Sequence, residues 1–288
     1  MTRSVLAMLG ILMTGPIAYA ETEASLQAGD TGTYAATVRN VTVKMVMSDE
    51  NNGMRAADIS VLEDGIMVYQ TREDALFSII YGPHLRIVEM NSANDTPEIF
   101  KAVYTGGAHC CVDIEVLSKT ANGWKAIEMG QYDGDPEGLY PRDLDGDGVA
   151  EIFTYDNRFL YEFASYAGSS APRQIISADG GTYRDVSADG RFEWTIRASL
   201  DEMGELPAEG EVRNSWLASY AATLLLLGED DPLDFAVGQH DASVDWGMVR
   251  CSVETDTGQC PEGKSINIGF KAALTDMLTQ NGYLEARN

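Results

Sequence analysis

The sequence predicts an α+β chain whose N-terminal two-thirds is antiparallel and β-rich, sandwich-like in form, and whose C-terminal region is helical. Three observations lead there. Apolar residues alternate with polar ones in short runs from Tyr34 onward, turn-forming clusters separate those runs, and apolar positions in the last hundred residues recur at helical spacing. With 288 residues, 44% of them hydrophobic, the chain is long enough to bury a sizeable core in one large or two modest domains.

Residues 1–20 have the form of an export address. Arg3 supplies a positive start, Val5 to Met13 is mostly apolar, Gly15-Pro16 breaks the helix, and Ala18-Tyr-Ala20 has the small-x-small pattern of a cleavage site. The apolar stretch is about half the roughly 20 residues a bilayer span needs, so no membrane span is expected once the address is cleaved. A periplasmic or secreted location follows, with Glu21 as the mature start. Residues 21–33 are polar and small and read as a flexible leader.

Residues 34–186 form the β-rich part. Val41, Val43 and Met45 alternate with polar neighbours, as do Ile59 with Val61 and Ile66 with Val68. Between the last two pairs, Glu63-Asp64-Gly65 is a hairpin turn. Ile79 to Tyr81, Leu85 to Ile87, Val112-Ile114-Val116 and Trp124 to Ile127 continue the series. Gly82-Pro83, Ala121-Asn122-Gly123 and Ala178-Asp179-Gly180-Gly181 punctuate it.

Residues 187–288 change period. Phe192, Ile196 and Leu200 follow a cap at Ser187-Ala-Asp189. Val212, Trp216, Tyr220, Leu224 and Leu227 mark a second helix that stops at Gly228. Phe270, Leu274, Met277 and Leu278 mark a third, closed by Asn281-Gly282. Ala221 to Leu227 is the most apolar run after the address and reads as buried core.

Charge excludes two classes of partner. The chain has 45 acidic and 20 basic side chains, a net charge of −25, and removing Arg3 with the address leaves 19 basic against 45 acidic groups, or −26. Nucleic-acid binding needs clustered Lys and Arg, which are absent here. Attraction to an anionic membrane surface is excluded on the same ground.

Export also governs the cysteines, because an oxidising compartment favours disulfides. Cys251 and Cys260 flank the turn-like run Thr255-Asp-Thr-Gly258, and a bridge between them is expected. Cys110 and Cys111 are adjacent. Neighbours in a strand point to opposite faces, so a vicinal bond there needs a turn, which Gly106-Gly107 can supply. Pairing of these two with the C-terminal cysteines stays open.

The chemistry of greatest density is Asp143-Leu-Asp145-Gly-Asp147-Gly-Val149-Ala-Glu151. Carboxylates at positions one, three, five and nine of a tight loop can converge on one point, and the Val149 carbonyl at position seven adds an oxygen. Such a set suits Ca2+, which takes six to eight oxygens at about 2.3–2.6 Å. Position twelve is Thr154 where an EF-hand needs Glu, and Ile152-Phe-Thr-Tyr155 reads as a strand where an EF-hand needs a helix. The loop resembles the calcium loops of FG-GAP and VCBS-type repeats, in which an Asp-x-Asp-Gly-Asp-Gly run enters a strand; Glu151 stands where those repeats have Asp. The resemblance covers about a dozen residues, occurs once, and implies Ca2+ as the ligand and a partial propeller-like variant of the β-rich fold. Upstream, Tyr104-Thr-Gly-Gly-Ala-His-Cys-Cys111 is similar to a pattern in uncharacterised secreted bacterial proteins, a likeness that implies no activity.

Catalytic motifs are missing. There is no His-Glu-x-x-His, Gly-x-Ser-x-Gly, phosphate-cradling glycine loop with Lys, or Cys-x-x-Cys. His84 follows Pro83 and reads as exposed. His109 beside two cysteines is a copper or zinc candidate only if the thiols stay reduced. His240 beside Asp241 has the look of a catalytic pair with no nucleophile assigned. The sequence is therefore read as a secreted, calcium-stabilised module that binds an unknown protein or glycan, or interacts with the envelope, without evident catalysis. Two competing readings remain: an acidic inhibitor capturing a basic partner such as lysozyme, and a periplasmic hydrolase with an unrecognised site.

Overall fold

The computed structural model describes residues 22–27, 30–50, 54–77, 82–107, 111–253 and 259–284. The export address, Ile79 to Tyr81, His109 and Cys110 lie outside these residues. The protein is α+β, with antiparallel sheets in the N-terminal two-thirds and helices in the C-terminal region.

Strand β1 (Ala24–Gln27) precedes a four-stranded meander of β2 (Gly32–Val38), β3 (Val41–Asp49), β4 (Met54–Glu63) and β5 (Ile66–Phe77). The β4–β5 turn is the expected one: Glu63 pairs with Ile66, and Asp64 and Gly65 both take positive φ, 51° and 79°, as a two-residue turn matching strand twist requires. A second sheet has the order β1-β6-β7-β8-β9, built with β6 (His84–Val88), β7 (Glu98–Tyr104), β8 (Val112–Thr120) and β9 (Gly123–Tyr132).

The two sheets stack face to face. Val41, Val43, Met45, Ile59 and Val61 alternate inward from the meander and meet Leu85, Ile87, Ile99 and Leu117 of the second sheet. The reverse face of that second sheet is also covered. There Phe100, Ala102, Ile114 and Val116 pack against Met90, Leu139, Ala150, Ile152 and Ile176. Burial on both faces explains why β7, which carries Glu98 and Lys101, follows no simple alternation. Glu98 is fully buried, and Lys101 is nearly so between Glu73 and Glu115.

Two expectations are corrected here. Residues 24–27, expected within the flexible leader, form an edge strand paired to β6, with Leu26 opposite Leu85. Side-chain bonds hold that edge: Arg86 pairs with Glu23 at 2.7 Å, and the Gln27 amide nitrogen meets His84 Nε2 at 3.1 Å. His84, expected to be exposed, is buried, and its Nδ1 lies 3.3 Å from the Tyr140 hydroxyl. Burial lowers the pKa of its ring.

A small sheet of β10 (Ile152–Tyr155), β11 (Arg173–Ser177) and β12 (Arg184–Asp185) leads into the helices. These are α1 (Glu193–Glu202), α2 (Glu211–Leu227), α3 (Pro232–Gln239) and, after the ribbon β13 (Val249–Cys251) with β14 (Ser265–Asn267), α4 (Gly269–Gln280). Helix α2 is buried almost all round and ends on Gly228 in the left-handed region, as its sequence requires. Its Leu217 and Ala221 pack with Phe159, Phe163, Phe270 and Leu274. No described helix is long and apolar enough to cross a membrane. Cys251 and Cys260 are bonded, with their Cα atoms 5.3 Å apart.

Candidate metal centre

The acidic loop lies between β9 and β10 and is anchored at both ends. Arg142 and Glu151 exchange backbone hydrogen bonds of 2.9 Å, which close the loop as an antiparallel bridge. Ala150 N donates to Glu89 O at 2.8 Å, tying the loop to the chain just beyond β6. Ala150 and Ile152 are buried in the core beneath it.

Within the loop the carboxylates organise the backbone. Asp143 accepts from Gly146 N at 2.7 Å and Gly148 N at 3.0 Å, Asp145 from Asp147 N at 3.1 Å, and Asp147 from Val149 N at 2.8 Å. Gly146 and Gly148 sit at φ of 83° and 90°, which a side chain there would strain. The outcome is that one oxygen from each of Asp143, Asp145 and Asp147 lies within 4.8 Å of the others. Like charges so close repel one another.

Glu151 stands at the base of the loop. It is buried, and one oxygen accepts from Leu144 N at 3.2 Å. Burial pushes its carboxyl up to about 7, and the charges of Asp145, Asp147 and Asp143 act in the same direction. Val149 is positioned through its N–H to Asp147. After the loop the chain enters strand β10, where Thr154 at position twelve is buried, in place of the Glu and the helix of an EF-hand.

A cation of the protein itself reaches the cluster. Arg191, in the single turn before α1, donates from Nη1 to Asp145 at 2.9 Å and to Asp147 at 3.3 Å, while Asp189 holds its Nε. The sequence reading missed this residue. Its one local signal was the cap at Asp189, and nothing in the pattern linked it to a loop more than forty positions away.

Acidic residues just upstream are engaged elsewhere: Asp133 accepts from the Tyr166 hydroxyl at 2.8 Å, and Asp135 caps its own turn through Glu137 N at 2.8 Å. His240 and Asp241 do not form a pair. The ring stacks on Phe270 at 5.0 Å with Nδ1 against Val237 O, whereas Asp241 accepts from Gly210 N and Ser243. The catalytic look of that dipeptide is thus explained by two separate capping roles.

Fold and loop define a class: an α+β chain with a carboxylate-gathering turn at the seam between its sheets and its helices. Residues 196–282, which run from within α1 to just past α4, match the sequence family described as the sll0997 C-terminal domain. The chain is 35% identical over 210 residues to the probable thylakoid lumen protein sll0997 of Synechocystis sp., a match covering 70% of this chain and 61% of that protein. It is also 35% identical over 204 residues to the uncharacterized protein y4bJ of Sinorhizobium fredii, covering 69% of this chain and 32% of that one. The chain thus spans less than two-thirds of the length of either relative. No solved structure matches.

Proposed function

We propose that the chain is an extracytoplasmic, calcium-stabilised module that binds a protein or glycan ligand rather than performing catalysis. The observation that carries the calcium reading is the convergence of the Asp143, Asp145 and Asp147 oxygens within 4.8 Å on a loop closed at both ends. Calcium is favoured over magnesium because the loop offers several carboxylates and a backbone carbonyl with room to adapt, whereas magnesium keeps more of its water. The likeness of the loop to FG-GAP and VCBS-type sequences supports the same ion. Residues 143, 145, 147 and 151 would supply carboxylate oxygens and residue 149 its carbonyl.

The extracytoplasmic part of the reading is supported by the export address at residues 1–20, by the Cys251–Cys260 bridge, and by the lumenal description of the Synechocystis relative. Loops of this kind outside cells bind calcium with dissociation constants of roughly 10⁻⁴–10⁻³ M. Calorimetric titration of the full chain with CaCl2 is expected to show one saturable site in that range. An Asp145→Asn variant is expected to lose it, and a wild-type chain that takes up no calcium would contradict the proposal.

A further inference from the structure

A cavity of about 300 Å³ opens where the small sheet meets helices α1 and α2, and Asp133, Tyr155, Ser170, Arg173, Glu202 and Ser219 are among the residues lining it. Ser219 belongs to α2, is fully buried, and its Oγ has no hydrogen-bond partner among the described residues. Buried hydroxyls are nearly always paired, so an orphan on a cavity wall asks for a ligand. The buried helix hydroxyls beside it do not share this condition: Ser199 donates to Ile196 O at 2.6 Å and Thr223 to Ser219 O at 2.9 Å.

The other polar groups show what would fit. Arg173 uses Nε and Nη2 on Glu202 at 3.2 and 2.7 Å, and its guanidinium lies 3.9 Å over the Tyr155 ring. Asp133 spends one oxygen on Tyr166. Among the described residues, Arg173 Nη1, the Ser170 hydroxyl, and one carboxylate oxygen each of Asp133 and Glu202 have no hydrogen bond. Two carboxylates against one guanidinium that is already paired disfavour an anion. That guanidinium in turn disfavours a cation. Groups that both donate and accept satisfy such a mixed wall, and hydroxyls do so. The volume is at the small end for ligand pockets, enough for a single compact unit.

We propose that this cavity binds one neutral, hydroxyl-rich residue of a glycan, with Ser219 and Ser170 as hydroxyl partners and Asp133 and Glu202 as acceptors. The proposal rests on the binding-module reading but not on the ion. Its test is calorimetric titration of the full chain with glucose, galactose, N-acetylglucosamine and glucuronate, each in calcium and in EDTA.

At least one neutral sugar is expected to bind saturably at millimolar concentration or below, with glucuronate about tenfold weaker because Asp133 and Glu202 repel it. Ser219→Ala is expected to weaken binding about tenfold without lowering the melting temperature, since the hydroxyl it removes has no partner among the described residues. A purely structural Ser219 would leave affinity unmoved. Failure of every neutral sugar to bind, or unchanged binding by Ser219→Ala, overturns the assignment. The calcium response in the same samples separates the two readings, because sugar binding that persists in EDTA supports the cavity even where the ion reading fails.

Discussion

Arg191 Nη1 sits 2.9 Å from an Asp145 carboxylate oxygen, so the turn that starts the helical region is bound to the acidic loop that ends the larger sheets. The same guanidinium contacts Asp147 at 3.3 Å, and it is about half exposed. It therefore supplies partial neutralisation of a cluster that still holds an excess of negative charge. The divalent ion proposed for Asp143, Asp145 and Asp147 would compete with it for the same oxygens.

Arg191→Ala separates these roles. In EDTA the variant is expected to be slightly less stable, by about 0.2–1 kcal/mol for an exposed pair. With calcium added it is expected to gain more than the wild type, because a competing positive charge has gone. Thermal melts of both proteins across a calcium titration check this.

Glu98 gives a pH-dependent prediction away from the loop. It is fully buried in β7, and burial pushes its carboxyl from 4.5 up to about 7, although Met90 N at 2.9 Å, Asn94 and Ser118 all donate to it. A carboxyl that holds its proton more tightly when folded contributes stability that is complete below pH 4.5 and is lost as pH rises toward 7. Glu98→Gln is expected to flatten that part of the stability curve, by an amount on the order of 3 kcal/mol. Denaturant melts of both proteins between pH 4.5 and 7 measure it.

The Cys251–Cys260 bridge closes a short segment leading from β13 toward β14. Replacing both cysteines by serine is expected to cost about 2–3 kcal/mol, the loop-closure value for a segment of this length. Reductant is expected to lower the melting temperature of the wild type by more than that of the double variant, which keeps the disulfide at Cys111.

Legibility followed local chemistry. The β4–β5 turn at Asp64-Gly65 and the end of α2 at Gly228 were readable because positive φ selects for such residues. Strand β7 was not, because Glu98 and Lys101 interrupt its apolar pattern and are accommodated only by partners from other strands. Strand β1 was hidden in a polar leader, since an edge strand with one large apolar residue, Leu26, is defined by its pairing with β6. Helix α3 is short and starts at Pro232, so it shows too few turns for periodicity to register. In the candidate site the three aspartates were legible from spacing alone, whereas Arg191 required the fold that brings its turn to them.

The direct test of the calcium account is the melting temperature of the full chain in calcium and in excess EDTA, beside an Asp145→Asn variant. At ten times its dissociation constant, calcium is expected to add about 1.4 kcal/mol to the wild type, read as a rise in melting temperature that EDTA reverses and that the variant lacks. Identical melts of the wild type in calcium and in EDTA would contradict the account.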